Sequence, residues 1–257
     1  MKSAIFITVR GDSTRLPNKA LLPILDKPTI EMVILRAKNV KNVDAIVVCT
    51  TERATDDDIV RIAEKCGVLF YRGSLDDKLD RWHGAAKQFG VDYFVTMDGD
   101  DLLCDPELVS MGIEQIKSDG TDFIEAPPGL ICGSFTYAIR TTALERVCDI
   151  KGTSDTEMMW VFFKDTGIFK VDTLKVTDSV FYTPGIRLTL DYEEDFALFK
   201  KIFEYFNCTE NELPLKEIVP YLIKHPELPK LNALRHNDWA ANQQKKTKLV
   251  LKDNWNN

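Results

Sequence analysis

The sequence predicts an α/β fold with a mainly parallel central sheet, and two features of the chain carry that prediction. Short, β-branched apolar runs alternate with longer segments whose apolar residues recur at helical spacing between residues 4 and 97. Polar, turn-prone residues follow the first apolar run at once. Because strands joined by helical crossovers lie parallel, we expect ligands to bind beyond the carboxyl ends of these strands.

Four apolar runs are predicted to be buried strands of this sheet. They cover residues 4–9, 44–51, 68–72 and 93–97. The helices predicted between and after them cover residues 30–39, 56–66, 77–89 and 107–116. The second helix opens with acidic residues, which suit the positive end of a helix dipole, and it ends before Gly67, a residue type typical of C-caps. Together these elements give the repeated β-α-β order of a parallel sheet.

The second half of the chain is less regular. Its predicted elements are a strand at residues 187–191 and amphipathic helices at residues 195–206 and 215–224. Residues 127–134 are rich in Pro and Gly and are predicted to form a loop. After Pro226 the composition becomes polar, and we expect this tail to pack on the surface or on a partner subunit. We interpret residues 1–257 as a single domain in which residues 207–257 are a helical and polar extension.

The composition indicates a globular protein. Hydrophobic residues make up 44% and charged residues 28% of the 257 residues. The net charge of -7 argues against non-specific binding to nucleic acid, because a phosphate backbone would be repelled. No stretch approaches about 20 apolar residues, and the N-terminus lacks the pattern of a secretory signal. We therefore expect a cytoplasmic protein whose partners are small molecules and not membranes.

The cysteines and histidines show no metal-ligand spacing. The six cysteines are Cys49, Cys66, Cys104, Cys132, Cys148 and Cys208. They contain no C-x-x-C pair, so the sequence predicts neither a zinc site nor a disulfide framework, and we expect reduced thiols. The three histidines, His83, His225 and His236, stand far apart, and we interpret each as structural.

The loop after the first predicted strand concentrates positive charge. Its relevant residues are Arg10, Gly11, Ser13, Arg15 and Lys19. A triphosphate needs several cations and free backbone N–H donors, for which arginine offers a two-pronged contact and lysine a point charge. The loop therefore predicts a triphosphate-binding site. The alternative, which the residues alone leave open, is an ordinary solvated loop.

Carboxylates follow the fourth predicted strand directly, at Asp98, Asp100 and Asp101. Closely spaced carboxylates repel one another unless a cation lies between them. Mg²⁺ prefers oxygen ligands and keeps waters and substrate phosphates in its shell, so one or two Asp residues suffice. We predict that Asp100 is a Mg²⁺ ligand, and that Asp105 caps the next helix before Pro106. An Asx-type turn is the alternative for the whole segment.

A third segment brings another carboxylate to the end of an apolar run. The alternating residues 187–191 deliver Asp191 to the carboxyl end of the predicted strand. Residues 193–195 are acidic and fit the first turn of the following helix, where they complement its dipole. Asp191 is thus a candidate second Mg²⁺ ligand, with helix capping as the open alternative.

Four motifs, in this order, resemble the cytidylyltransferase family that includes the 3-deoxy-manno-octulosonate and N-acylneuraminate enzymes, and above all its spore-coat polysaccharide branch. The opening motif R-x-x-S-x-R-L-P-x-K is matched by Arg10, Ser13, Arg15, Leu16, Pro17 and Lys19. R-G-S-x-x-D-x-L-D-R is matched at residues 72–81, and G-D-x-x-L-x-D-P-E at residues 99–107. R-L-T-x-D-x-x-E-D is matched at residues 187–195. The resemblance covers nearly the whole chain.

The resemblance implies a Rossmann-like nucleotidyltransferase fold, with helices on both faces of the sheet, in a homodimer. The implied activity is Mg²⁺-dependent transfer of CMP from CTP, with release of pyrophosphate. The catalytic residues would be Arg10, Lys19, Asp100 and Asp191, the last two holding the metal. The nucleotide would contact Arg10, Gly11, Ser13, Arg15, Lys19, Arg72, Ser74, Arg81 and Asp98. For residues 72–81 the alternative is a plain helix entry, with Ser74 or Asp76 as its cap.

The acceptor is the part of the reaction that no matched motif indicates. We expect an acidic acceptor, either a sugar acid or a related precursor of a surface polysaccharide, with a phosphonate or phosphorylated acceptor as the alternative. Candidate contacts combine aromatic and charged groups: Tyr137, Arg140, Glu157, Trp160, Tyr182 and Arg187.

Two other functions compete with this interpretation. A metal-dependent glycosyltransferase would use the D-x-D pattern at residues 98–100, but its first loop need not hold a triphosphate. A nucleotide-binding protein without turnover would keep the fold but need not keep Lys19, Asp100 and Asp191. A dinucleotide-dependent dehydrogenase is disfavoured, because no G-x-G-x-x-G follows the first strand.

Overall fold

Strands and helices alternate along the first half of the chain, as the sequence predicts. The structure, a computed structural model, describes residues 1–253 and Trp255. The strands are β1 (Ser3–Thr8), β2 (Pro23–Ile24), β3 (Lys27–Pro28), β4 (Ala45–Thr51), β5 (Leu69–Gly73), β6 (Tyr93–Asp98), β7 (Phe123–Glu125), β8 (Tyr137–Arg140) and β9 (Val171–Thr173). The helices are α1 (Thr29–Lys38), α2 (Asp57–Lys65), α3 (Lys78–Phe89), α4 (Pro106–Ser118), α5 (Thr141–Ile150), α6 (Trp160–Lys164), α7 (Glu193–Phe206), α8 (Leu215–Lys224) and α9 (Arg235–Lys246).

Seven strands form one central sheet, in the order β5-β4-β1-β6-β8-β7-β9. The pairs β5–β4, β4–β1, β1–β6 and β7–β9 are parallel. Strand β8 alone among the described strands of this sheet runs antiparallel to its two neighbours. The prediction of a mainly parallel sheet is therefore confirmed. A separate hairpin pairs β2 with β3.

The sheet separates two hydrophobic cores, because successive side chains of a strand point to opposite faces. On β1, Ile5 and Ile7 pack with residues of α1, α2, α4, α7 and α8. Phe6 packs on the other face with residues of α3, α5 and α6, and its ring stacks on Phe94 at 4.3 Å between centroids. Burying one such side chain fully stabilises the fold by about 1.5–3 kcal/mol. Helices therefore cover both faces, as expected.

The predicted strand at residues 187–191 is wrong. Only one isolated bridge, between Arg187 and Cys132, forms there. The amide of Leu188 donates to the carbonyl of Cys132, whereas that of Leu190 donates to the carbonyl of Asp100. All five residues of the segment are buried, and it is held between two loops and does not lie along one strand.

The N-terminal caps of α4 and α3 were predicted from the sequence, and one of the two predictions is confirmed. Asp105 accepts from the amide of Glu107 ahead of α4, as predicted. At α3 the predicted cap, Ser74 or Asp76, is wrong, because Asp77 accepts from the amide of Asp80. The side chain of Asp77 also contacts Lys151 and Thr156, which a reading of the local sequence misses.

The C-terminal part of the chain contains helix α9, which the sequence did not separate from a polar tail. No helix among the described residues combines the length and the apolar character needed to span a membrane. None of the six cysteines, all of which lie in the described part of the chain, is paired in a disulfide.

Candidate active site

A cavity of about 760 Å³ opens at the carboxyl ends of β1 and β6. It is lined by the loop after β1, the carboxylates after β6, the loop before β8, the segment before α6, and helix α9. This is the edge of the sheet at which ligands of parallel α/β folds bind. This cavity thus lies where the order of the strands predicts that ligands bind.

The loops after β1 and β6 are neighbours because their strands pair in parallel register, with Thr8 beside Asp98. Gly99 permits this approach: a Cβ atom there would lie 2.8 Å from the Cβ of Val9. Such a distance is shorter than carbon atoms tolerate, so any side chain would push the two loops apart. The close packing of these loops brings Lys19 to the carboxylates.

Lys19 lines the cavity, and its ammonium contacts two carboxylates. Its ammonium contacts Oδ2 of Asp100 at 2.6 Å and Oδ1 of Asp191 at 3.4 Å, and it donates to the carbonyl of Leu190 at 3.1 Å. Arg15 also contacts Oδ1 of Asp191, at 2.5 Å. The structure therefore brings together four of the predicted site residues, which come from the first, third and fourth motifs.

Charges in this cluster shift one another's pKa values. Burial alone would lower the pKa of Lys19, but Asp100 and Asp191 raise it above its usual value. Burial alone would raise the pKa of Asp100, yet the contact with Lys19 keeps that pKa low. For Asp98 and Asp101, burial and the nearby charge of Asp100 raise the pKa. Full ionisation of all these carboxylates therefore needs a further cation.

The donor set suits a hard cation. Carboxylate oxygens of Asp98, Asp100 and Asp101 lie within 4.8 Å of one another. Asp191 is not in this group of three, but it shares the Lys19 ammonium with Asp100. Oxygen ligands with room for water and phosphate are what Mg²⁺ prefers. The residues present thus fit the metal that the resemblance implies.

Asp191 is held by a buried network of Arg187 and Asp195. Nη2 of Arg187 contacts its Oδ2 at 2.9 Å, and Nε of Arg187 contacts Asp195 at 3.3 Å. Asp195 accepts from the amides of Asp191 and Tyr192, both at 2.9 Å. Arg187 is only 2% exposed and does not line the cavity. The structure therefore does not bring Arg187 to the cavity, where its contact with the acceptor is predicted, and its guanidinium holds Asp191 instead.

The first loop holds its cations around the cavity, but one predicted donor is used elsewhere. Arg10, Ser13 and Arg15 line the cavity, and Nη1 of Arg15 is buried without a hydrogen-bond partner among the described residues. An unpaired guanidinium nitrogen suits an anionic ligand. The amide of Gly11 is not free, because it donates to Oδ1 of Asp56 at 2.8 Å. The nucleotide contact of Gly11 stays a prediction, and its amide is held within the fold here.

Only part of the predicted base-binding segment reaches the cavity. Arg81 lines it and donates to the carbonyls of Ser74 and Leu75. Ser74 accepts from the amide of Asp77 and does not line the cavity. Arg72 turns away, since it donates to the carbonyls of Thr51 and Arg53 and pairs with Asp57. The structure therefore does not bring the side chains of Ser74 and Arg72, which are predicted to contact the base, to the cavity.

The acceptor candidates divide in the same way. Tyr137, Glu157 and Trp160 line the cavity. Arg140 lies at the opposite edge of the sheet, because β8 runs antiparallel to β6 and pairs Arg140 with Tyr93. Tyr182 donates to the carbonyl of Val176 and does not line the cavity. The structure therefore does not bring Arg140 and Tyr182, which are predicted to contact the acceptor, to the cavity.

Helix α9 supplies cavity residues that the sequence interpretation missed. They are His236, Trp239, Gln243 and Lys246. Their spacing of three, four and three residues places them on one face of a helix. This periodicity was the available signal, but the stripe is polar and does not resemble a core-facing helix. His236, which the sequence interpretation took as structural, thus lines the cavity.

Comparison with known proteins gives a consistent result. The model of the cytidylyltransferase family matches residues 4–213. An uncharacterized protein of Methanocaldococcus jannaschii is 30% identical over 91% of this chain and 95% of its own length. The spore coat polysaccharide biosynthesis protein SpsF of Bacillus subtilis is 25% identical over 88% and 97%. A solved cytidylyltransferase of Leptospira borgpetersenii is similar with a TM-score of 0.80 and 28% identity, covering 89% of this chain and 96% of that one.

Proposed function

Because this chain belongs to the cytidylyltransferase family, we propose that it transfers CMP from CTP to an acidic acceptor, with Mg²⁺ as cofactor and pyrophosphate as the second product. The acceptor in this proposal is a sugar acid or a related precursor of a surface polysaccharide. The name of the Bacillus subtilis relative, a spore coat polysaccharide biosynthesis protein, supports the role in polysaccharide synthesis.

One observation carries the proposal: the ammonium of Lys19 lies between the carboxylates of Asp100 and Asp191. Because Asp100 and Asp191 lie close enough to share the ammonium of Lys19, they are also close enough to bind a metal ion together. Lys19 lies beside them and can contact a phosphate. Arg10 and Arg15 line the same cavity. Cations for the leaving pyrophosphate and carboxylates for a metal thus meet in one place.

The chain's own residues mainly position and neutralise. Arg10, Arg15 and Lys19 would balance the charge that develops on the leaving pyrophosphate. The acceptor oxygen attacks the α-phosphorus in line and loses its proton to solvent, while the bond to pyrophosphate breaks. Asp100 and Asp191 would hold Mg²⁺, which would supply positive charge beside the reacting phosphate. Alignment of two bound substrates then supplies much of the acceleration.

Membership of this family argues against the glycosyltransferase hypothesis. The D-x-D pattern at residues 98–100 begins at the last residue of β6. The cationic first loop next to it suits a triphosphate better than a sugar nucleotide. A protein without turnover is also disfavoured, because Lys19, Asp100 and Asp191 are in direct contact. A phosphonate or phosphorylated acceptor is the alternative substrate, since it offers the same negative charge.

The test is pyrophosphate release by the purified protein with each of the four nucleoside triphosphates and a panel of sugar acids, aminoalkylphosphonates and sugar phosphates. We expect release with CTP and a sugar acid, and loss of release when EDTA removes Mg²⁺. Asp100→Ala should lower the turnover rate by about 100-fold or more, the usual effect of removing one stabilising group. Asp58→Ala, at an exposed residue of α2, is the matched control and should retain activity.

Two results would contradict the proposal. The first is full activity of Asp100→Ala with Mg²⁺, or full activity of the wild-type protein in EDTA. The second is the absence of any CTP binding by calorimetry, with or without Mg²⁺. Release with a phosphonate alone would retain the cytidylyl transfer and replace the sugar acid by the alternative acceptor.

A further inference from the structure

Helix α9 lines the cavity along its length, from His236 to Lys246. Its twelve residues span about 18 Å at the usual rise per residue. At its start, Arg235 pairs with Glu194 of α7 at 2.9 Å. At its end, Lys246 pairs with Glu157, in the segment before α6, at 3.2 Å. The helix is thus fixed at its start to α7 and at its end to the segment before α6.

The segment before α9 is tied to the network under Asp191. Asn232 is buried, and its Nδ2 donates to Oδ1 of Asp195 at 2.7 Å and to the carbonyl of Arg187 at 3.1 Å. The guanidinium of Arg187 also lies 5.4 Å from the centre of the Trp239 ring. The position of α9 over the cavity is therefore coupled to the same residues that position Asp191.

Charges at the far end of α9 leave one cation in excess. Glu157 contacts Lys246 at 3.2 Å and Arg10 at 3.7 Å. Burial alone would raise the pKa of Glu157, but Lys246 and Arg10 together keep it below its usual value. One ionised carboxylate thus serves two cations, and the remaining positive charge suits an anionic group of a ligand.

The cavity face of α9 differs in chemistry from the triphosphate loop. It offers an aromatic ring at Trp239 and an amide at Gln243, facing the same space as Trp160 and Tyr137. Aromatic faces pack against the apolar faces of sugar rings, and amides and carboxylates exchange hydrogen bonds with hydroxyl groups. The family match ends at residue 213, so α9 lies outside the part that the family shares. Parts that face the site but lie outside that shared region are where differences in acceptor are expected.

We propose that α9 recognises the acceptor, which the proposed function makes a sugar acid. This inference rests on the proposed cytidylyl transfer. Trp239 contacts the carbon face of the acceptor and Gln243 its hydroxyl groups. Lys246 contacts its carboxylate, and Glu157 holds the side chain of Lys246 in place.

The experiment compares neighbouring residues of α9. Gln243→Ala and Lys246→Ala remove side chains that line the cavity, whereas Gln244→Ala and Lys245→Ala remove exposed neighbours that do not. The probes are 3-deoxy-manno-octulosonate, N-acetylneuraminate and 2-aminoethylphosphonate, each titrated in the pyrophosphate assay at saturating CTP. KM for CTP is then measured at saturating probe, and thermal unfolding verifies that each variant is folded.

We expect the wild-type protein to accept at least one of the sugar acids. Gln243→Ala and Lys246→Ala should each raise KM for that probe by about tenfold, the effect of losing one hydrogen bond to a polar or charged partner. KM for CTP should change by less than about twofold, because the nucleotide loop is untouched. Gln244→Ala and Lys245→Ala should behave like the wild-type protein.

Each other outcome overturns a distinct claim. Unchanged probe KM in both cavity-facing variants, or an equal rise in KM for CTP, would contradict acceptor recognition by α9. Turnover of 2-aminoethylphosphonate alone, or Mg²⁺-dependent CTP binding without turnover of either sugar acid, would contradict the acceptor class and leave cytidylyl transfer standing. A wild-type protein that neither binds CTP nor releases pyrophosphate would contradict the proposed function itself.

Discussion

At the scale of single residues, the site depends on how buried charges hold one another. Asp191 is 2% exposed, and its carboxylate contacts Arg15, Lys19 and Arg187. Burial alone would lower the pKa of Arg187, but Asp195 and Asp191 raise it, so this guanidinium remains charged. Removing one member of such a buried group leaves the others without compensation.

Arg187→Met should therefore damage both stability and activity. Two buried carboxylates would lose their common partner, and the free energy of unfolding should fall by about 3 kcal/mol or more. Urea denaturation measures this change, and the pyrophosphate assay should show a lower kcat because Asp191 is no longer held. Arg61→Met, which breaks an exposed pair with Asp58, is the control and should unfold like the wild-type protein. Wild-type stability in Arg187→Met would contradict the positioning role.

Residue types in the motifs could be predicted from the sequence, but the directions of their side chains could not. Lys19 was singled out as a cation that suits a triphosphate, and Asp100 as one of several carboxylates that need a cation. The structure brings the two into contact. Arg140 has the same charge as Arg10, yet it lies at the opposite edge of the sheet. That difference depends on the antiparallel direction of β8, which no local pattern contains.

At the scale of elements, the segment that carries Asp191 is held by two loops and not by a strand. Gly133, in the loop before β8, has a positive φ of 89°, and a Cβ atom there would lie 2.0 Å from the carbonyl oxygen of Leu188. The backbones of these two segments thus touch, and glycine is the residue that allows it. The position of Asp191 depends on this contact.

Gly133→Ala should lower kcat by about 100-fold, because it displaces the Asp191 segment, and errors of about 1 Å at a catalytic group cost that much. Gly129→Ala is the matched control: its φ is also positive, at 84°, but its nearest neighbour, a carbon of Tyr182, would lie at 3.8 Å. Both variants meet the same backbone strain, so the difference in kcat isolates the displacement. Equal kcat in the two variants would contradict this account.

Elements with strong periodicity were predicted within one to a few residues of their observed bounds, as for α8 at Leu215–Lys224. The short strands β7 and β9 were not, because three residues carry too little pattern. Helix α9 was missed because its cavity-facing stripe is polar, so the usual apolar signal of a packed helix is absent.

At the scale of the whole molecule, the order of strands explains why distant motifs meet. Residues 8–21 follow β1 and residues 98–101 follow β6, and these strands are parallel neighbours. Residues 188–191 join them through hydrogen bonds to the loops after β6 and before β8. The net charge of -7 says nothing of this cluster of cations, since charge at a site is a local property.

Transfer of the cytidylyl group can be followed through the α-phosphorus of CTP. The purified protein is incubated with Mg²⁺, CTP labelled at the α-phosphate, and 3-deoxy-manno-octulosonate or N-acetylneuraminate, and the products are separated and weighed by mass spectrometry. The account predicts that the label enters a product whose mass is that of the acceptor plus a cytidylyl group, with one pyrophosphate released per product. Label that remains in CTP, or appears only in free CMP, with every acceptor of the wider panel would contradict it.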